Sequence, residues 1–269
     1  MKVGFIGVGN MGGAIIKGAL NQKYIQPHDT YVYDINKELQ NTITSQFGVN
    51  STENAVELVQ RCDSIILCVK PIFMEQLLDE ISAYLSGKMV VSIAAGCSIS
   101  TLSKWLNENE TIQIVRVMPN TPALVGCGYT AICEESRCKS EEKQWVIGLF
   151  ACLGEAEVLP ERLIDAVITV AGSSPAYVYM FIEALADGAV KQGMPRKLAL
   201  KAAAQAVMGS AKMVIETGIH PGELKDQVCS PGGTTIEAVE TLEKEGFRGA
   251  VLSAMDACAR RSKEMEKSI

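Results

Sequence analysis

Lys2-Val-Gly-Phe-Ile-Gly7-Val-Gly9-Asn-Met-Gly12 runs straight into Ala14-Ile-Ile-Lys-Gly-Ala-Leu20. The first residues form a short apolar run that reads as a strand. The last ones carry apolar residues at helical spacing. Between them lies a Gly7-x-Gly9-x-x-Gly12 loop, and this strand-then-helix context gives the spacing its meaning. The first glycine makes a tight turn, the second admits a pyrophosphate, and the third lets helix pack on strand. A second strand, Thr30-Tyr-Val-Tyr33, ends at Asp34. A carboxylate there can accept hydrogen bonds from a ribose diol. The plainer alternative is a glycine-rich turn with Asp34 as a strand-end cap. Order and spacing favour dinucleotide binding.

Outward from this loop the chain alternates. Strands are expected at 2–7, 30–34, 63–69, 88–94, 112–117, 128–133 and 155–159, and helices at 10–21, 36–46, 53–60, 72–85, 98–107 and 140–152. The runs Ser64-Ile-Ile-Leu-Cys-Val69 and Met89-Val-Val-Ser-Ile-Ala94 are continuously apolar, as suits strands buried on both faces. Such alternation predicts an α/β fold with a doubly wound, mostly parallel sheet and ligands at the carboxyl ends of its strands. Three strand ends carry further signals: Val69-Lys70-Pro71, Ile93-Ala94-Ala95-Gly96 and Arg116-Val-Met-Pro119-Asn120-Thr-Pro122. Small residues at 94–96 would let a flat nicotinamide ring lie close.

After Leu159 no strand pattern recurs. Helices are expected at 161–171, 174–193, 195–217, 220–228, 233–245 and 247–266. The stretch from Leu198 to Ile215 is rich in alanine. So thin and apolar a helical unit predicts a homodimer built on it. Its most specific segment is Asp226-Gln-Val-Cys-Ser230-Pro-Gly-Gly-Thr-Thr235. Glycines in a turn that opens a helix let backbone approach a ligand, and the helix N-terminus suits a carboxylate. Thr235 adds a neutral hydroxyl that can donate or accept.

Composition narrows the field. The chain has 269 residues, 48% hydrophobic and 21% charged, with net charge −6. Without clustered Lys and Arg, nucleic acid is not an expected partner. No apolar segment reads as long enough to cross a bilayer. Nine cysteines include no CxxC, and there are only two histidines, His28 and His220, so no zinc site is expected. Cysteines in apolar runs, such as Cys68 and Cys152, read as buried small hydrophobes in a reducing cytoplasm.

The motifs Phe5–Gly12, Val69–Pro71, Met118–Pro122, Ala171-Gly-Ser-Ser-Pro-Ala-Tyr177, Phe181–Asp187 and Asp226–Thr235 together resemble the pyrroline-5-carboxylate reductase family. The resemblance spans essentially the whole chain. It implies a Rossmann domain over 1–159 and a helical substrate-binding and dimerisation domain over 160–269. The implied reaction is NADPH- or NADH-dependent reduction of the cyclic imine 1-pyrroline-5-carboxylate to L-proline, the last step of proline biosynthesis. The resemblance further implies a capacity of dimers to assemble into larger rings. By the same resemblance Thr235 contacts the imine, and Val228, Ser230, Gly233 and Thr234 hold its carboxylate. Cofactor contacts fall on Gly7, Val8, Gly9, Asn10, Met11 and Gly12, on Val69, Lys70 and Pro71, and on Ile93, Ala94 and Ala95. Asn54 falls at the adenosine end. Family members often carry Ser or Thr near the 2′-phosphate where this chain has Asp34, whose charge should repel that phosphate; Asn36 and Lys37 could offset it.

Two other readings have clear discriminators. A β-hydroxyacid dehydrogenase shares the two-domain plan but has a catalytic lysine at the domain junction. Gly172-Ser-Ser-Pro-Ala-Tyr-Val-Tyr-Met-Phe181 contains none. A noncatalytic nucleotide sensor would need the 7–12 loop but not the 228–235 segment.

Overall fold

The computed structural model describes residues 1–268, with side chains to residue 266. Two compact units emerge: Met1–Ser173 together with the chain from Cys258 onward, and Ser174–Ala257.

The first unit is built on one eight-stranded sheet. Its strands are β1 (Val3–Ile6), β2 (Thr30–Tyr33), β3 (Asn50–Ser51), β4 (Ser64–Leu67), β5 (Met89–Ser92), β6 (Gln113–Met118), β7 (Gly128–Cys133) and β8 (Gly154–Leu159). They lie in the order β3-β2-β1-β4-β5-β6-β7-β8. Every pairing is parallel except β6 with β7. Strand order reverses direction beside β1, which pairs with both β2 and β4.

Alternation along the strands feeds two cores. Ile65 and Leu67 pack with Leu58, Leu78 and Leu102 from α3 (Ala55–Arg61), α4 (Met74–Ile81) and α5 (Ile99–Trp105). Phe5 and Ile66 pack with Ile15, Ile43 and Phe150 from α1 (Asn10–Asn21), α2 (Lys37–Phe47) and α6 (Ser140–Ala151). Successive residues of β4 thus face opposite sides. Both sides being covered, β1, β4 and β5 are buried at every residue. Each such Leu, Ile or Phe contributes about 1.5–3 kcal/mol by leaving water.

The first unit extends beyond the expected boundary at 159/160. The short helix α7 (Ile164–Val167) and a π-helical turn over Ile168–Gly172 send Ile164, Val167 and Ile168 into the core beneath β4 and β5. The last turns of α12 (Phe247–Ser268) join the same unit: Ser262 Oγ donates to Asp165 Oδ1 at 2.9 Å, and the Ser173 hydroxyl lies 3.1 Å from Cys258 Sγ. The texture change at Leu159 marks where strands stop, not where the compact unit ends.

The second unit holds α8 (Ser174–Lys191), α9 (Arg196–Thr217), α10 (Pro221–Val228), α11 (Thr234–Lys244) and the start of α12. Its buried core consists of Ala186, Ala199 and Ala203 between α8 and α9. Met180, Leu185, Leu198, Met208 and Ile215 remain exposed. One expectation needs correction here. The stretches Glu161–Lys191 and Arg196–Thr217 are long and apolar enough to span a bilayer, with mean hydropathy 1.2 and 1.3. Ala, Val, Ile, Leu and Met raise their mean hydropathy, while Glu183, Asp187, Lys201 and Lys212 interrupt the apolar runs that the eye looks for.

All nine cysteines are free: Cys62, Cys97 and Cys133 are buried, Cys127 is exposed, and the other five lie between. Burial pushes the Cys62 and Cys133 thiols up to about 12.

Candidate active site

The carboxyl ends of four strands lie side by side. Backbone bonds continue past the strands: Gly7 N–H donates to Tyr33 O, Cys68 N–H to Ile6 O, and Ile93 N–H to Leu67 O. The segments beginning at Asp34, Gly7, Cys68 and Ile93 therefore form one edge at the point where strand order reverses. There a doubly wound sheet leaves its crevice. Gly7–Gly12, Val69–Pro71 and Ile93–Ala95 all belong to this edge, as expected from the sequence.

The glycine loop fits a nucleotide's phosphates. Gly9 is the N-cap of α1 and supplies no side-chain bond to the helix, whose first turn carries no acid. The first N–H groups of a helix have no partner four residues back, and they meet an anion well. A Cβ built on Gly9 would have nothing within 4 Å. The protein itself therefore does not demand glycine there, whereas an approaching pyrophosphate would. Gly12 is the opposite case: its Cβ would collide with Gly7 O, so α1 lies against the β1 turn only with glycine.

Asp34 fastens two segments. Its Oδ2 accepts from Val8 N–H at 2.8 Å, and its Oδ1 accepts from Asn36 N–H at 2.9 Å. The carboxylate is thus held beside the glycine loop. Asn36 and Asn54 both cap helices: Asn36 Oδ1 accepts from Leu39 N–H at 3.1 Å, and Asn54 Oδ1 accepts from Glu57 N–H at 2.8 Å. Lys37 turns toward the β3 end, where its Nζ donates to Gln40 Oε1 at 3.1 Å and to Glu53 O at 3.2 Å.

Two residues to which the sequence reading gave no site role support the Ile93–Gly96 segment. Glu161 Oε1 accepts both from Ile99 N–H and from Arg116 Nη1, each at 2.8 Å. The guanidinium of Arg116 is buried in β6, so this pair anchors the start of α5 just after the segment. A buried Arg in an otherwise apolar strand was the available signal. Beyond β6, Asn120 donates to Ala171 O at 3.0 Å and accepts from Tyr129 N–H at 2.9 Å. It ties the Met118–Pro122 turn to the π-helical segment.

In the second unit, α10 ends at Val228 and α11 begins at Thr234. The link between them turns through Gly232, whose φ is +66°, and closes with Gly233 N–H donating to Ser230 O at 3.0 Å. Gly233 is the N-cap of α11 and again offers no side-chain bond. Thr234 and Thr235 are then the first and second helical residues. The Thr235 hydroxyl, half-buried, makes no hydrogen bond to the described residues. An uncapped N-terminus beside an unsatisfied hydroxyl can bind a carboxylate and steer a neighbouring polar nitrogen. Elsewhere on this unit, Asp187 pairs with Arg196 at 2.5 Å, which gives it a structural occupation.

Comparison with known proteins agrees with this arrangement. The pyrroline-5-carboxylate reductase dimerisation family matches residues 161–265. The family described as NADP oxidoreductase coenzyme F420-dependent matches residues 2–96. Pyrroline-5-carboxylate reductase of Escherichia coli strain K12 is 50% identical over 268 residues, covering 99% of each chain. The crystal structure of Plasmodium falciparum pyrroline carboxylate reductase with NADP bound is 36% identical and superposes with a TM-score of 0.89, covering 99% of this chain and 98% of that one. A pyrroline-5-carboxylate reductase structure from Coxiella burnetii gives a TM-score of 0.90 at 29% identity, covering 98% of both chains. Full-length identity of this size, together with the dimerisation-family match, leads to one assignment: the chain belongs to the pyrroline-5-carboxylate reductase family.

Proposed function

We propose that the pyrroline-5-carboxylate reductase activity of this chain is carried by Thr235 and the 228–234 turn on the substrate side, and by the 7–12 loop, Asp34, Asn36, Asn54, Val69–Pro71 and Ile93–Ala95 on the cofactor side. The observation that carries this reading is the uncapped start of α11, with the Thr235 hydroxyl one residue inside it and bonded to none of the described residues. Reduction adds a hydride to the imine carbon and a proton to its nitrogen. When bound, reduced nicotinamide supplies the hydride. The chain's own contribution is to bind, orient and polarise. Backbone N–H groups of the turn hold the substrate carboxylate, and the Thr235 hydroxyl bonds the nitrogen and fixes its direction. A protonated imine is already strongly electrophilic, so no acid–base dyad is required. Purified protein should oxidise reduced nicotinamide when given 1-pyrroline-5-carboxylate and form proline. No rate above background with either NADPH or NADH would remove the assignment.

Asp34 bears on cofactor choice. A carboxylate accepts from a free 2′-hydroxyl and repels a 2′-phosphate. Replacing Asp34 by Ser should shift the NADPH-to-NADH ratio of kcat/KM about tenfold toward NADPH, a change of about 1.4 kcal/mol. An unchanged ratio in the folded variant would mean that Asp34 serves only its two backbone bonds.

The exposed apolar faces of α8 and α9 are best covered by a second copy, as the described residues bury three alanines between these helices and leave Met180, Leu198, Met208 and Ile215 exposed. The homodimer, and any ring of dimers, would be built on these helices, with the cytoplasm as its compartment. Light scattering should give a dimer or a multiple of it at micromolar concentration. A stable, active monomer would refute this.

A further inference from the structure

Gln40 sits in α2, three residues beyond Lys37, and is only 3% exposed. A buried amide needs partners for both ends, and this one has them in three segments. Its Oε1 accepts from the backbone N–H of Asp34 and from Lys37 Nζ, each at 3.1 Å. Its Nε2 donates to Thr52 O, at the end of β3, at 2.9 Å. Two donors face the oxygen and one acceptor faces the nitrogen, which fixes the orientation of the amide. Lys37 is further held by Glu53 O, and its ammonium lies 4.7 Å from the centre of the Tyr33 ring.

The consequence is electrostatic. Lys37 leads α2 and follows Asp34 by three residues, yet the two form no ion pair among the described residues. Opposite charges so close in sequence would ordinarily meet. Here the amide of Gln40 draws the ammonium to the β3 side while fixing the backbone of Asp34. A basic side chain in this loop is the usual means of accommodating a 2′-phosphate, and an acid the usual means of reading a 2′-hydroxyl. This chain carries both types of side chain.

We propose that Gln40 is a specificity-determining positioning residue: it holds the Lys37 ammonium toward β3 and leaves the Asp34 carboxylate as the group that meets the 2′-substituent of the cofactor's adenosine. This rests on the cofactor reading above. Gln40 touches no ligand itself. It acts by withholding a cation from the place where a 2′-phosphate would sit.

The test uses binding rather than turnover. Affinities of the full chain for adenosine 2′,5′-bisphosphate and for AMP are measured by calorimetry, with folding checked by thermal melting. In Gln40→Met, which keeps length and loses the acceptor, the bisphosphate should gain about two- to fivefold over AMP, the scale of one new exposed charge pair. Adding Lys37→Met to that variant should cancel the gain. Lys37→Met alone, which leaves the buried amide intact, should change the ratio less than twofold. A folded Gln40→Met chain with an unchanged ratio would overturn the proposal. So would a large loss of bisphosphate binding in Lys37→Met alone, because Lys37 would then already serve the phosphate; that variant decides the matter even if Gln40→Met does not fold. If Asp34→Ser shifts the ratio and Gln40→Met does not, the cofactor reading stands and the role of Gln40 falls. If neither shifts it, the ribose lies elsewhere and both fall.

Discussion

Thr235→Ala should lower kcat/KM by about ten- to a thousandfold while leaving fold and cofactor affinity nearly intact, the scale of losing one oriented hydrogen bond in a transition state. The helix does not need this hydroxyl. Gly233 is the N-cap of α11, and Thr235 is its second helical residue with no bond to the described residues. Alanine is also the better helix former, by a few tenths of a kcal/mol. Thr235→Ser should recover much of the loss, since it restores the hydroxyl without the methyl. Thr234→Ala should be milder, because the backbone N–H is what position 234 contributes. Melting temperature and kcat/KM measured on the same three variants separate substrate steering from helix stability. A destabilised but fully active Thr235→Ala enzyme would leave only the backbone anchor.

Gly9→Val should abolish useful cofactor binding, weakening it by about two orders of magnitude or more, equivalent to about 2.7 kcal/mol. The fold should hardly notice. Gly9 has φ −62° and ψ −163°, an extended conformation open to any residue, and its Cβ would meet no protein atom within 4 Å. Exchanging this N-cap glycine for valine costs about 1 kcal/mol of helix stability, which leaves the chain folded. The valine would instead fill the space over the first turn of α1 that the pyrophosphate needs. Tryptophan or nicotinamide fluorescence titration, beside thermal melting, gives both readouts. Full affinity in the folded variant would reduce the loop to a structural turn.

Much of this molecule was legible because its periodicities are long. The apolar runs at β4 and β5 and the helical spacing of α1 follow directly from which faces are buried. β3 was not legible, since two residues carry no pattern and Asn50–Ser51 is apolar on neither face. The compact units part at Ser173 and not at Leu159, because composition changes at Leu159 while the apolar side chains that join the sheet's core continue through Ile164, Val167 and Ile168. The glycine loop was readable from its spacing set between a strand and a helix. Its surroundings were not: Gln40 bonds Thr52, 12 residues away, besides Asp34 and Lys37, and Glu161 bonds Ile99 and Arg116, 62 and 45 residues away. Nothing in a linear sequence marks such pairings. Nor does sequence distinguish Asn36 as a ligand contact from Asn36 as a helix cap, a role the Leu39 bond makes plain.

The return of α12 to the first unit has a consequence for biosynthesis. Ser262, buried against Asp165, and Cys258, beside Ser173, leave the ribosome only after the whole of Ser174–Ala257. The nucleotide-binding unit therefore emerges with one piece missing, and completes itself when a late segment docks onto an early one. Domains tend to fold in the order in which they emerge. In this chain the earlier-born unit must wait for the later-born one to be made, so the two maturation events are coupled in time by the path of a single helix.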